Sequence, residues 1–169
     1  MMIKKSGIVL FTALFLTACH LSPYSISVND NIVFSPQGQL PEEDFSDPGL
    51  QACVNNYLND NPDESMQSMS LLSCPDAGIT TLAGLEQLGN LSLLDLSNNN
   101  ISDLGPLREL ERLRVLRVSN NQIRNIGVLD DLSLLNFIDL SGNASITCRQ
   151  LDRLEDRLGN TLRRPLSCL

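Results

Sequence analysis

Residues 91–112 have the sequence LSLLDLSNNNISDLGPLRELER, and residues 113–134 follow with LRVLRVSNNQIRNIGVLDDLSL. Both segments carry an aliphatic side chain or an asparagine at the same eight positions, offset by 22 residues. In the first segment these are Leu91, Leu94, Leu96, Asn99, Ile101, Leu104, Leu107 and Leu110. In the second they are Leu113, Leu116, Val118, Asn121, Ile123, Ile126, Leu129 and Leu132. A fixed period of this length indicates a repeat architecture.

The same register extends in both directions along the chain. The preceding coil has Met69, Leu72, Cys74, Ala77, Ile79, Leu82, Leu85 and Leu88 at these positions. The following coil retains Leu135, Ile138, Leu140 and Asn143. We therefore predict repeats over 69–146, with coils that start at residues 69, 91, 113 and 135.

The local patterns within a coil predict its elements. Leu94 and Leu96 alternate as the inward face of a strand does, and the later spacing of three residues suits 3₁₀-like turns. The pattern L-x-x-L-x-L-x-x-N-x-I resembles leucine-rich repeats, and the L-x-x-L-x-x-L that follows is similar to the internalin-type bacterial class. This resemblance implies an α/β solenoid, with parallel strands on a concave face, 3₁₀ turns on the convex face, and Asn99, Asn121 and Asn143 in structural roles.

Helical caps are expected on both sides of the repeats. Asp47 and Pro48 favour a helix start within an N-terminal cap at 47–68. Thr147 is a candidate N-cap for a helix that Gly159 would end, within a C-terminal cap at 147–169. Such lids shield the terminal cores of a solenoid from water.

Five cysteines are present, and four of them, Cys53, Cys74, Cys148 and Cys168, are candidates for disulfides. Four cysteines can pair in three ways. Their spacing favours Cys53 with Cys74 and Cys148 with Cys168, so that each bridge would close a local loop within one cap.

The first 18 residues combine Lys4 and Lys5 with an apolar run, which is typical of an export signal. The run is too short to span a bilayer comfortably. Leu16-Thr17-Ala18-Cys19 resembles the lipobox of bacterial lipoproteins, which implies a signal peptide at 1–18 and lipidation of Cys19. His20 stands where the family's inner-membrane retention signal usually has Asp. We therefore expect a lipid-anchored protein of the bacterial cell envelope, at the outer membrane.

Residues 19–46 are expected to form a polar tether, because they contain prolines and acidic residues without a helical period. One alternative remains open there. The alternation of Tyr24, Ile26 and Val28, followed by a polar turn and Ile32 to Phe34, could form a hairpin or lend a strand to a neighbour.

Composition argues against several functions. Removing the signal would remove both lysines and leave a net charge of about −10, which disfavours nucleic acid as a partner. The single histidine, His20, would lie beside the anchor, and no metal-ligand or phosphate-loop motif is present. We therefore expect a non-enzymatic monomer without a metal or cofactor.

Two outward rows are predicted on the strands. The third position of each coil gives the apolar row Leu71, Leu93, Val115 and Phe137. The fifth gives Ser73, Asp95, Arg117 and Asp139. The carboxylates of Asp95 and Asp139 would lie about 10 Å apart, a separation compatible with inverting glycoside hydrolysis. Arg117 between them would keep both ionised, which favours a surface ladder.

The resemblance implies that the exposed sheet binds a protein partner, while the anchor binds the membrane. An apolar stripe beside charged side chains suits such an interface, and Phe137 and Arg117 are the first candidates for its centre. Two alternatives stay open: the family tolerates apolar residues here, or the tether or a lid covers the stripe. A second hypothesis is an envelope polysaccharide or peptidoglycan ligand bound by Asp95, Asp139, Asn98 and Asn120.

Overall fold

The structure is a computed structural model that describes residues 26–28, 31–34 and 45–168. The predicted signal peptide, the predicted lipidation site Cys19 and most of the predicted tether lie outside these residues. The chain divides into two units, Met1–Glu42 and Glu43–Leu169.

The first unit contains an antiparallel hairpin. Strand β1 is Ile26–Val28 and strand β2 is Asn31–Phe34. Ser27 pairs with Ile32, and the register shifts between Ile26 and Ser27. Residues 26–28 and 31–34 therefore form the hairpin that was one of the predicted alternatives.

The second unit contains a parallel sheet in the order β3-β4-β5-β6-β7. Its strands are β3 Leu71–Ser73, β4 Leu93–Asp95, β5 Val115–Arg117, β6 Phe137–Asp139 and β7 Leu162–Arg163. The first four pair at the 22-residue offset, so that Leu72, Leu94, Leu116 and Ile138 form one inward row. We did not predict β7, because it does not follow the 22-residue period: Leu162 pairs with Ile138.

The turn side of each coil is built from 3₁₀ segments, as the spacing of three predicted. These segments are Leu85–Gln87, Gly105–Glu109 and Gly127–Asp130. The repeated aliphatic positions of the strands and turns are buried in one core. The parallel sheet with short 3₁₀ turns fits a leucine-rich-repeat solenoid.

The repeated asparagines bind backbone groups of two successive coils. Asn121 Nδ2 donates to the carbonyl oxygens of Leu96 at 2.9 Å and Val118 at 3.1 Å, and its Oδ1 accepts from Ile101 N at 3.0 Å. Asn99 and Asn143 repeat these contacts one coil away on either side. Each amide satisfies strand-end groups that would otherwise be buried without partners.

Helix α1, Pro48–Asp60, precedes the repeats. Asp47 is its N-cap, as predicted, and accepts from Gly49 N and Leu50 N. Leu50 and Val54 are buried, and a disulfide joins Cys53 to Cys74 with a Cα–Cα distance of 5.8 Å. Phe45, inside the segment expected to be tether, is also buried in this core.

Helix α2, Cys148–Leu158, follows the repeats and ends at Gly159. Thr147 is its N-cap residue, as predicted, but the Thr147 side chain makes no capping hydrogen bond. Arg157 on α2 instead donates to the carbonyl oxygens of Leu129 and Leu132 in the last complete turn. A second disulfide joins Cys148 to Cys168, with a Cα–Cα distance of 5.3 Å.

Among the described residues, no helix combines the length and apolar character that crossing a membrane requires.

Candidate binding face of the sheet

The candidate site is the face of the parallel sheet whose side chains point away from the core, here called the outward face. It consists of an apolar row and a charged row that run across the strands. The apolar row is Leu71, Leu93, Val115 and Phe137. The charged row is Ser73, Asp95, Arg117, Asp139 and Arg163. Strand alternation places both rows opposite the buried core positions.

The apolar row is accessible along its length. Leu71 is 41% exposed, and Leu93, Val115 and Phe137 are half-buried. The parallel register makes each residue of the row a direct neighbour of the next. The structure therefore brings together the stripe that the repeat register predicted.

The ion pairs of the charged row differ from those we expected. Arg117 lies in register between Asp95 and Asp139, but it forms an ion pair with Asp95, at 3.9 Å. Asp139 forms its ion pair with Arg163 on β7, at 3.7 Å. Arg117 therefore pairs with only one of the two carboxylates, and strand β7, which the sequence did not predict, supplies a second arginine for the other.

Both carboxylates of the charged row also hold the backbone at the ends of their strands. Asp95 Oδ1 accepts from the Ser97 backbone N at 3.0 Å and from its hydroxyl at 2.7 Å. Asp139 Oδ1 makes the same two contacts with Ser141, at 3.0 and 2.6 Å. Each Asp-x-Ser pair is thus a local turn. These contacts support the interpretation of the row as a surface ladder.

Phe137 lies between two arginines. The Cζ atoms of Arg117 and Arg163 lie 5.6 and 5.7 Å from the centre of its ring, within the range of cation–π attraction. The repeat pattern predicts Phe137 and Arg117 on this face but does not predict Arg163. The available signal was an apolar residue followed by an arginine, Leu162 and Arg163, after the helix stop at Gly159. Two residues are too few to distinguish a strand from a loop.

The asparagines proposed as polysaccharide ligands bind one another. Asn120 Nδ2 donates to Asn98 Oδ1 at 2.8 Å, and Asn98 Nδ2 donates to Asp76 Oδ2 at 3.3 Å. This ladder connects equivalent positions of three successive coils. It accounts for Asn98 and Asn120 without a ligand.

A separate cleft of about 430 Å³ lies between α1 and the start of the sheet, where Tyr57 and Cys53 line it. Burial raises the pKa of the Tyr57 hydroxyl, and its hydrogen bond to Glu64 and the charge of that carboxylate act in the same direction. Across the described residues, no cluster of three or more His, Cys, Asp or Glu side chains could hold a metal ion.

Known structures share this fold. Internalin C2 from Listeria monocytogenes is 29% identical to this chain over 61% of it and 48% of the internalin, with a TM-score of 0.55. The internalin inlF from Listeria monocytogenes is 24% identical over 76% of this chain and 40% of that one, with a TM-score of 0.63. The chain thus spans about half, or less, of the length of these proteins. No protein-family model and no curated protein matches it. The fold is that of an internalin-like leucine-rich-repeat protein.

Proposed function

We propose that this protein is a binding module that recognises another protein through the outward face. The observation that carries the proposal is the continuous apolar row next to exposed arginines, centred on Phe137 with Arg117 and Arg163 on either side. Aromatic and arginine side chains are the residues that most often dominate binding energy at protein interfaces. The internalin-like fold supports the same proposal, since leucine-rich-repeat proteins usually bind other proteins through this face of the sheet.

The proposed role is binding without catalysis. Asp95 and Asp139, the two carboxylates considered for glycoside hydrolysis, are each held by a serine turn and an arginine. Helices α1 and α2 are proposed to act as lids of the solenoid, because α1 buries Leu50 and Val54 in the core and α2 buries Leu151 and Leu154 there. Within the described part of the chain, no contact favours the polysaccharide hypothesis.

The test is affinity capture from cell-envelope extracts, followed by binding measurements with the purified captured protein. Phe137→Ser and Arg117→Glu should each abolish binding and leave the melting temperature nearly unchanged, since Phe137 is half-buried and Arg117 is on the surface. Arg153→Glu is the matched control. Arg153 is an exposed arginine on α2, away from the outward face, and it forms an ion pair of similar length, 3.6 Å, with Asp130. Undiminished binding by both outward-face variants would refute the proposal.

We further propose that the protein is anchored in the bacterial envelope, at the outer membrane, by lipid on Cys19. The support is the sequence Leu16-Thr17-Ala18-Cys19 after an apolar run; several acyl chains would give stable anchoring where one would not. Mass spectrometry should find acylated Cys19 as the first residue of the mature chain. A Cys19→Ser variant that stays in the membrane fraction would contradict lipid anchoring.

A further inference from the structure

We propose that the cluster formed by Arg117, Phe137 and Arg163 is a docking point for a carboxylate of the partner protein, carried by an Asp or Glu side chain with apolar neighbours. This inference rests on the proposed function and adds the chemistry of the group that is recognised. It depends on the two guanidinium groups, on the competing carboxylates and on the apolar row beside them.

The two guanidinium groups have donors to spare. The ion pairs of Arg117 and Arg163 are long, at 3.9 and 3.7 Å, and neither arginine donates a hydrogen bond to another described residue. Their side chains are 42% and 67% exposed. Arg157 differs, because it donates to two backbone carbonyl oxygens. A guanidinium has five N–H donors arranged to bind a carboxylate with two parallel hydrogen bonds.

The sheet places both arginines beside Phe137. They lie on β5 and β7, two strand spacings or about 10 Å apart, with Phe137 on β6 between them. The Cζ atoms of both arginines lie 5.6 and 5.7 Å from the centre of its ring, so the two guanidinium groups are held near the same side chain. A partner group above the ring is therefore within reach of both cations.

The nearby carboxylates do not saturate this region. Asp95 and Asp139 are only 20% and 13% exposed, and the Oδ1 of each is engaged by a serine. A partner approaching the face thus meets guanidinium groups before it meets carboxylates. An incoming cation would be repelled by both arginines, whereas an anion would gain charge-assisted hydrogen bonds.

A protein is favoured over an anionic polysaccharide by charge and by the apolar row. The chain has a formal net charge of −8, so a polymer with a charge on every unit would be repelled by most of the surface. A protein can present one carboxylate and surround it with apolar side chains. Val115 and Leu93, next to Phe137 along the apolar row, would receive those side chains.

The experiment is selection of peptides displayed on phage against the full chain, against an Arg117→Gln/Arg163→Gln variant and against the control Arg153→Gln. The full chain and the control should enrich peptides with an Asp or Glu next to apolar residues, and the double variant should lose this enrichment. With one selected peptide in solution, each arginine substitution should weaken binding about tenfold, as expected for a charge-assisted hydrogen bond. Replacing the peptide's acid by its amide should then remove most of the effect of the arginine substitutions.

The outcomes separate this inference from the proposed function. Selected peptides that need Phe137 but show no acidic enrichment would overturn the carboxylate site and leave protein binding intact. Peptides whose binding survives Phe137→Ser would refute the outward face itself. Binding of polygalacturonate in place of any peptide would overturn both in favour of a polysaccharide. Should the double variant unfold, Arg163→Gln alone decides the question, since that side chain is mostly exposed.

Discussion

At the scale of single residues, one position in each coil has left-handed backbone geometry. Asp76, Asn98 and Asn120 have φ values of 55°, 59° and 54°, and Gly142 follows at 77°. Residues with a Cβ rarely adopt this region, and Asn, Asp and Gly tolerate it best. The first asparagine of each SNN segment, Asn98 or Asn120, is therefore explained by the turn that follows the strand.

A glycine series would test how much this geometry costs. In Gly142→Ala the new Cβ would lie 2.9 Å from Asn120 N and 3.0 Å from its Cα, in addition to the backbone strain. We expect a loss of about 3 kcal/mol in unfolding free energy. Gly78→Ala, with φ of 71° and open space, should cost about 1 kcal/mol. Gly89→Ala, with open space and no such φ, should be within about 0.5 kcal/mol of the parent.

Urea denaturation of the three variants provides the measurement. The order of the losses matters more than their absolute size. Equal losses for Gly78→Ala and Gly142→Ala would mean that close packing against Asn120 contributes nothing.

At the scale of elements, Asp47 joins helix α1 to the first coil. Its Oδ1 caps the helix by accepting from Gly49 N and Leu50 N. Its Oδ2 accepts from Thr80 N at 2.8 Å, Thr80 Oγ1 at 2.9 Å and Thr81 N at 3.2 Å. Burial by itself raises the pKa of the Asp47 carboxyl, but the hydrogen bonds from Thr80, Leu50 and Thr81 outweigh burial and lower this pKa below its ordinary value.

Acid should weaken this junction in a defined pH range. Because the folded pKa lies below the unfolded value of about 3.9, the carboxylate stabilises the fold above that value. This contribution is lost as the pH falls through the folded pKa. Asp47→Asn should cost about 2–3 kcal/mol at pH 7, because an amide N–H₂ group would face backbone donors.

The measurement is the unfolding free energy of the parent and of Asp47→Asn from pH 7 to pH 2. The gap between them should narrow only in the most acidic part of this range. A gap that is the same at both ends of the range would show that the charge on Asp47 does not stabilise the junction.

At the scale of the whole molecule, the two disulfides lie at opposite edges of the sheet. Cys74 follows the edge strand β3, and Cys168 follows the other edge strand, β7. In a solenoid each coil contacts mainly its neighbours, so stability is approximately a sum of local terms. The two bridges are therefore expected to stabilise the two ends independently.

Replacing either disulfide with a pair of alanines should lower the unfolding free energy by about 3 kcal/mol, mainly through the entropy of the unfolded chain. The two losses should add to within about 0.5 kcal/mol, because the bridges share no contacts. Hydrogen exchange should show that loss of Cys53–Cys74 exposes the amides of α1 first. If α2 lost protection equally, the ends would be coupled and the independent-lid model would be wrong.

The sequence by itself determined the repeat, its register and the elements within each coil. Leu94, Leu116 and Ile138 are buried because alternation and the 22-residue offset put them on one face, and neither property needs a tertiary contact. The resemblance to leucine-rich repeats implied the structural role of Asn121, and the spacing of the cysteines predicted the two disulfides. The repeat register also placed Phe137 and Arg117 on the outward face.

Only the tertiary structure decided which side chains contact one another at the two ends of the repeats. Arg163 lies in the same row as Asp139 because the chain returns to the sheet after α2, and no repeated spacing encodes that return. The hydrogen bond from Thr80 to Asp47 spans 33 residues, and it too has no counterpart at the 22-residue offset. Contacts within the repeat recur at a constant offset and can be found from one copy to the next. Contacts at the two ends occur once, so their partners depend on how each terminal helix packs.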